Sequence, residues 1–224
     1  MIERILDVAR RLLEKHQPRV VALDGPIGAG KSTLAAALAA ATPACVIPSD
    51  DFFAAEITAA GWDARSPAER ARDAIDWRRL RQCTLEPLRA GQRAVWRPFD
   101  FAAGERADGT YPMAEYELRV DPAPLIILEG AYSSRPELAD LLDLTVLVDT
   151  PLPIRLARIA KRDSPDFLEA WHQRWDDAEA YYFRTVRPWT SFDLVLDTQT
   201  GNTRSFDDKN AGNRQTADRR VPQR

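Results

Sequence analysis

Short runs of apolar, often β-branched residues recur along the chain, and amphipathic or alanine-rich segments separate them. The apolar runs cover residues 19–24, 44–47, 125–128, 144–148 and 192–196. They are almost entirely apolar, which is typical of strands buried on both faces of a parallel sheet. Strands that alternate with helical segments predict an α/β fold with a doubly wound parallel sheet.

The same pattern divides the chain into segments. Residues 1–18 carry one apolar helical stripe, so we expect an amphipathic helix packed on the core. Residues 19–198 hold the predicted sheet. From residue 199 the composition turns to Gly, Asn, Asp, Gln and Arg, with almost no large apolar residues. This composition predicts a disordered tail over residues 199–224.

One motif lies between the first predicted strand and an alanine-rich helix: Gly25-Pro26-Ile27-Gly28-Ala29-Gly30-Lys31-Ser32-Thr33. It matches the phosphate-binding loop G-x-x-x-x-G-K-[ST] at every defined position and in the strand–loop–helix context that the loop requires. The glycines allow a concave backbone whose N–H groups all point at phosphate oxygens, and the helix N-terminus adds positive charge. Lys31 can then reach the β- and γ-phosphates, and the Ser32 hydroxyl a magnesium ion. The motif predicts a site for ATP and Mg²⁺ at Gly25, Gly28, Ala29, Gly30, Lys31, Ser32 and Thr33.

Carboxylates follow two of the predicted strands. Asp50 and Asp51 come after the strand at 44–47, and Glu129 ends the strand that begins at residue 124. Open α/β sheets bind ligands at the carboxyl ends of their strands, so these acids are expected beside the phosphate loop. Acids there repel phosphates unless they serve a metal or accept a proton, which favours a functional role. A helix N-cap at Asp50 or Asp51 is the alternative.

Arginines recur at helical spacing after the strand at 144–149, at Arg155, Arg158 and Arg162. They predict a helical lid over about residues 155–170 that supplies positive charge to a transferring phosphoryl group. The solvated face of an ordinary surface helix is the alternative.

Composition narrows the class of protein. With 224 residues, 45% of them hydrophobic, the chain can bury one sizeable core. The net charge of −3 includes a basic tail, so the rest of the chain is acidic, which argues against a nucleic-acid partner. Two separated cysteines and the lack of a leader or long apolar run predict a cytoplasmic protein without membrane association. Self-association stays open.

Several fragments together resemble the P-loop kinases of the uridine kinase, nicotinamide riboside kinase and phosphoribulokinase group. They are the loop at residues 25–33, the segment 49–53, the segment 99–101, the segment 128–130 and the segment from Val148 to Asp163. The resemblance implies transfer of the ATP γ-phosphoryl group to a hydroxyl of a small molecule, first of all a nucleoside. It implies that Asp50 is the base, with Lys31 and Arg162 also catalytic and Arg158 on the ATP phosphates.

The resemblance also implies an acceptor site. Its residues would be Phe53, Asp73, Phe99, Phe101 and Glu129, with Glu129 also near the metal and Asp76 as an alternative to Asp73. The chain departs from uridine kinases here, because Phe53 and Phe99 replace tyrosines and Gly104 stands where a histidine reads the base.

Two other functions stay open at this point. One is an ATPase coupled to a partner, without a small acceptor. The other is a nucleoside monophosphate kinase, in which basic residues would hold the acceptor phosphate: Arg70, Arg72, Arg78 and Arg79.

Overall fold

The computed structural model describes residues 3–14, 17–162 and 165–205, with the backbone alone for residues 165–168, 170, 171 and 173. The strands are β1 (Arg19–Asp24), β2 (Ala44–Pro48), β3 (Ala94–Trp96), β4 (Leu118–Val120), β5 (Leu125–Glu129), β6 (Leu144–Asp149), β7 (Leu194–Asp197) and β8 (Thr203–Ser205). The helices are α1 (Glu3–Leu13), α2 (Lys31–Ala41), α3 (Ala59–Asp63), α4 (Pro67–Asp73), α5 (Trp77–Leu80), α6 (Glu86–Arg89), α7 (Leu152–Arg162) and α8 (Pro165–Tyr181). Within this part of the chain, no helix combines the length and the apolar character needed to cross a membrane.

Six strands form the central sheet in the order β2-β5-β1-β6-β7-β8. The pairs from β2 to β7 are all parallel, and only β8 runs antiparallel to its neighbour. Helices cover both faces, so the predicted doubly wound α/β fold is confirmed. The separate pair of β3 and β4 is antiparallel and lies outside this sheet.

Side chains alternate between the two faces of the buried strands, and most of them enter one of two large cores. Val20 of β1 packs in one core with Ile126 of β5, whereas Val21 and Ile127 point into the other. The second core also holds Ile5, Leu6 and Ala9 of α1 and the apolar face of α2. The first helix thus packs on the sheet through its apolar stripe, as its pattern indicates.

The strand register aligns the functional segments at one edge of the sheet. Glu129 of β5 is opposite Leu23 of β1 on one side and opposite Pro48 of β2 on the other. The phosphate loop follows β1, and Asp50 follows β2. Three separate stretches of sequence therefore meet at the carboxyl ends of adjacent strands, where α/β sheets bind ligands.

The beginning of the predicted disordered tail needs a correction. Residues Thr203–Ser205 form β8 and pair with Leu194–Leu196 of β7. A short edge strand of this kind gains its stability from main-chain bonds to its neighbour, so its polar composition gave no sign of it. Residues 206–224 of the predicted tail lie outside the described residues, as do residues 163 and 164 of the predicted lid.

Candidate active site

The phosphate loop depends on its glycines for reasons of both conformation and space. Gly25, Gly28 and Gly30 have φ values of 151°, 76° and 98°, which side-chain-bearing residues rarely adopt. A Cβ atom at Gly25 would lie 2.6 Å from the carbonyl oxygen of Val148, and one at Gly28 would lie 2.9 Å from that of Arg155. The loop is therefore pressed against β6 on one side and α7 on the other.

Several N–H groups of the loop are bonded within the protein. Gly25 N donates to Asp24 Oδ1 at 2.8 Å, Ile27 N donates to Glu179 Oε2 at 2.7 Å, and Ala29 N donates to the carbonyl of Pro26 at 3.1 Å. The expectation that every loop N–H faces the phosphates is wrong for these three. The reason is that the carboxylates of Asp24 and Glu179 and the carbonyl of Pro26 accept them. Contacts of Gly25 and Ala29 with ATP stay a prediction.

Lys31 begins α2 at the bottom of a cleft of about 820 Å³. Its ammonium group donates to the carbonyls of Gly25 at 2.8 Å and Pro26 at 3.1 Å. These bonds hold the side chain over the loop, in the position from which an ammonium group can reach bound phosphates. Ser32, Thr33, Gly28 and Gly30 line the same cleft.

Asp50 and Asp51 lie in a short 3₁₀ helix, Ser49–Phe52, that follows β2. Asp50 lines the cleft and is open to the water in it, with protein on its other sides. Desolvation by this surrounding protein raises the pKa of Asp50, against the opposing effects of Lys31 and Arg162. Asp51 instead accepts a hydrogen bond from Trp96 Nε1 at 2.8 Å, outside the cleft lining. Of these two neighbouring aspartates, only Asp50 therefore lines the cleft, whereas Asp51 is bonded to Trp96.

Glu129 lies at the end of β5 and is buried. Its Oε2 atom accepts a hydrogen bond from Ser32 Oγ at 3.1 Å. Burial raises the pKa of Glu129, and repulsion from Asp50 raises it further. Two carboxylates and a hydroxyl beside a phosphate loop are the oxygen donors that Mg²⁺ prefers, and the cation would relieve the repulsion between the acids. The residues fit a magnesium ion, although no cluster of three acidic, histidine or cysteine ligands occurs among the residues described.

The arginines of α7 have different surroundings. Arg155 donates to the carbonyl of Ile27 at 3.1 Å, and Arg158 donates to the carbonyls of Gly28 and Ala29 at 3.1 and 3.0 Å. Arg158 and Arg162 both line the cleft. Here α7 lies directly against the loop, so its arginines are more than a solvated helix face. Contact of Arg158 with the phosphates stays a prediction.

The cleft lining also holds aromatic and apolar side chains: Phe53, Ile75, Phe101, Tyr132 and Trp175. Phe101 is 60% exposed. Two of the predicted acceptor residues, Phe99 and Asp73, do not line the cleft. Phe99 is buried behind Phe53 and Phe101, with ring centroids 5.0 and 4.5 Å away.

Asp73 lies outside the cleft and lines a neighbouring cavity. Its carboxylate forms ion pairs with Arg65 at 3.2 Å and Arg72 at 2.7 Å. Asp76, the alternative, also lines that cavity and caps α5 by accepting from Arg79 N at 3.0 Å. The structure thus brings Phe53, Phe101 and Glu129 together with Asp50 but leaves both of these aspartates out.

The cleft residues that were not predicted include Tyr132, Trp175 and Glu179. Trp175, Glu179 and Tyr182 are spaced so that they share one face of α8 and its continuation. That spacing was visible in the sequence, but an aromatic stripe on a helix is also typical of a core. Tyr132 follows Glu129 closely in the chain and has a φ of 61°, which the sequence does not reveal.

Comparisons with known proteins identify similar chains. The chain is 29% identical over 181 residues to a uridine kinase of Latilactobacillus sakei, covering 78% of this chain and 79% of that protein. A uridine kinase of Vibrio campbellii is 34% identical over 105 residues, which span 46% of this chain and 44% of the relative.

Solved structures also share the fold. A protein of Bacillus stearothermophilus described as a possible uridine kinase has a TM-score of 0.63 at 20% identity, covering 87% of this chain and 96% of its own. A candidate fructose transport system kinase of Silicibacter sp. TM1040 has a TM-score of 0.59 at 25% identity, covering 84% of this chain and 95% of its own. The first of these likenesses concerns the fold alone.

A family model described as an AAA domain (AAA_33) matches residues 20–185, which include the phosphate loop, Asp50, Glu129 and Glu179. The match begins in β1 and continues past the end of α8, so it includes β1, β2, β5 and β6 of the central sheet but not β7 and β8. Proteins of this P-loop family bind nucleotides such as ATP through the loop described above. The chain therefore belongs to the AAA domain family, carries its P-loop and is similar to uridine kinases.

Proposed function

We propose that the protein is an ATP-dependent kinase that transfers the γ-phosphoryl group to a hydroxyl of a small, ring-containing molecule such as a nucleoside. One observation carries the proposal: Asp50 lines the same cleft as Lys31 and the phosphate loop, whereas its neighbour Asp51 is held by Trp96. A carboxylate that faces a phosphate loop across a cleft can accept the proton of an acceptor hydroxyl.

The surroundings of Asp50 suit a general base. Its pKa is raised by desolvation, which makes the carboxylate a better proton acceptor, while Lys31 and Arg162 limit the rise. The acceptor oxygen attacks the γ-phosphorus as its proton passes to Asp50, and ADP leaves. Lys31 and Arg162 place positive charge where the phosphoryl group would transfer. Ser32 and Glu129 would hold Mg²⁺ or its water ligands, and this ion would neutralise charge on the phosphate oxygens.

The acceptor half of the cleft favours an unphosphorylated acceptor with an aromatic or apolar ring. Phe53, Phe101 and Trp175 line it, and aromatic side chains at a site can pack against a range of planar groups. In the described lining, the cationic side chains are Lys31, Arg158 and Arg162, all on the loop and α7 side.

The arginines that a monophosphate kinase would need have other contacts. Arg70 donates to the carbonyls of Trp62 and Arg174, Arg72 binds Asp73, and Arg79 donates to the carbonyls of Arg97 and Asp51. Arg78 lies over the ring of Trp77. None of the four lines the cleft. This placement speaks against an acceptor phosphate and for a neutral alcohol.

The test measures ADP production with Mg-ATP across a panel of nucleosides, nucleoside monophosphates, sugars and other alcohols. Each reaction is compared with a blank that lacks acceptor and with the Asp50→Asn variant. We expect one class of unphosphorylated acceptor to stimulate ADP release, and Asp50→Asn to remove the stimulation. ADP release that no acceptor changes would favour the partner-coupled ATPase, and stimulation by monophosphates alone would favour the nucleoside monophosphate kinase.

A further inference from the structure

The helix α8 contacts the phosphate loop through Glu179. Glu179 of α8 accepts the backbone N–H of Ile27 at 2.7 Å. Arg155 of α7 donates to the carbonyl of the same residue at 3.1 Å and to Glu179 Oε1 at 3.3 Å. Both polar groups of the Ile27 backbone are therefore held by one ion pair between two helices.

This ion pair is sheltered from solvent. The side chains of Arg155 and Glu179 are 15% and 22% exposed, unlike the exposed ion pairs elsewhere on the surface. Hydrogen bonds between charged groups and the backbone in such surroundings are stronger than those between neutral groups. Burial raises the pKa of Glu179, while the Ile27 N–H and Arg155 oppose the rise, so the ionised carboxylate is the form these contacts favour.

A second contact one turn further along fixes the start of the loop. Tyr182 donates its hydroxyl to Asp24 Oδ2 at 2.7 Å, and Asp24 Oδ1 accepts from Gly25 N at 2.8 Å. The same helical segment thus determines the orientation of the peptide groups before Gly25 and before Ile27. The phosphate-binding peptides of Gly28 and Gly30 follow directly, so their orientation depends on these anchored neighbours.

We infer that Glu179, together with Arg155, is a positioning residue that fixes the phosphate loop for nucleotide binding. Glu179 acts through the Ile27 backbone and needs no contact with the acceptor. The inference rests on the proposed use of ATP but not on the identity of the acceptor. Loss of Glu179 would let the Ile27 peptide rotate, and part of the binding energy of the nucleotide would then be spent on ordering the loop.

The experiment measures the dissociation constant of Mg-ADP by calorimetry for the full chain and five variants. We expect Glu179→Ala to weaken binding about tenfold, the size of one lost charge-assisted hydrogen bond. Glu179→Gln keeps an oxygen that can accept from Ile27 N, so we expect it to stay within about threefold of wild type. Asp177→Ala is the matched control, because Asp177 is exposed on the same helix and does not line the cleft.

Arg155→Ala provides a second measurement if Glu179→Ala fails to fold. It should weaken Mg-ADP binding by itself. Where Glu179→Ala does fold, the two effects should be less than additive in the Arg155→Ala/Glu179→Ala double variant. With any acceptor that supports turnover, Glu179→Ala should raise KM for ATP and leave kcat within about threefold.

Three results would overturn the inference. The first is a Glu179→Ala variant that binds Mg-ADP as tightly as wild type or more tightly. The second is a Glu179→Gln variant that binds no better than Glu179→Ala, and the third is an equal loss of affinity in Asp177→Ala. If no acceptor supports kinase activity, the Mg-ADP affinities still test the role of Glu179. If the wild-type protein binds no Mg-ADP, the proposed function itself is contradicted.

Discussion

Asp50 and Asp51 are adjacent in the chain, yet their carboxylates lie in different surroundings. Asp51 is bound by Trp96 Nε1 at 2.8 Å, and its carbonyl accepts from Arg79 at 3.1 Å. Asp50 lines the cleft beside Lys31 and Glu129. The turn of the 3₁₀ helix after β2 points neighbouring side chains in different directions, so only one of two identical residues can reach a bound substrate.

This difference gives a matched pair of variants. We expect Asp50→Asn to lower kcat about a hundredfold or more and to leave Mg-ATP affinity within a few fold, because the general base is lost. Asp51→Asn should keep kcat within about threefold, since the amide oxygen can still accept from Trp96. Steady-state kinetics and calorimetry check both. Equal losses of kcat in the two variants would remove the special role of Asp50.

The pH dependence of turnover should report the same group. Only ionised Asp50 can accept a proton, so kcat/KM for the acceptor should rise with pH through the pKa of Asp50. Because desolvation raises this pKa, the inflection should lie above the ordinary value of 3.8. The residual activity of Asp50→Asn should lack this inflection. A wild-type profile that is flat from pH 4 to 7 would contradict the assignment.

Glu129 should act against the stability of the metal-free protein. Its pKa is raised by burial and by Asp50, so the ionised form is disfavoured in the fold and stability falls as pH rises through that pKa. Glu129→Gln keeps an acceptor for Ser32 Oγ and removes the charge. We expect the free energy of unfolding at pH 7 to increase by about 0.5–2 kcal/mol, as for other site residues replaced by neutral ones.

The gain in Glu129→Gln should shrink as pH falls, because wild-type Glu129 then becomes protonated as well. Thermal unfolding at pH 4 and pH 7 without magnesium measures this. The same substitution should raise the Mg²⁺ concentration at which activity is half-maximal, because one proposed ligand of the ion loses its charge. If Glu129→Gln is less stable than wild type at pH 7, the prediction is wrong, and contacts in the fold stabilise the ionised form of Glu129.

Phe101 should matter for the acceptor and little for stability. It is 60% exposed and lines the cleft, so Phe101→Ala should raise KM for the acceptor about tenfold, the scale of a lost aromatic contact, with KM for ATP unchanged. Tyr116→Ala is the control, because Tyr116 is 63% exposed but does not line the cleft. Equal effects of the two substitutions on acceptor KM would place the acceptor elsewhere.

Several parts of the site could be predicted because they are local. Positive φ angles at Gly25, Gly28 and Gly30, the start of a helix at Lys31 and a carboxylate at the end of β5 all follow from a few consecutive residues. The acceptor half could not be predicted in this way. Asp73 has the right chemistry, but its pairing with Arg65 and Arg72 holds it in a neighbouring cavity.

The sequence by itself determined the sheet, the phosphate loop and the edge where ligands bind, because hydrophobic runs and glycine conformations act over short distances. Tertiary structure decided which side chains share the cleft. Glu179 is 152 residues away from Ile27 in the chain, and Tyr182 is 158 residues away from Asp24, yet both pairs are hydrogen-bonded. Such contacts depend on how α8 packs against the sheet and the loop, and the packing of distant elements leaves no signature in any local pattern of residues.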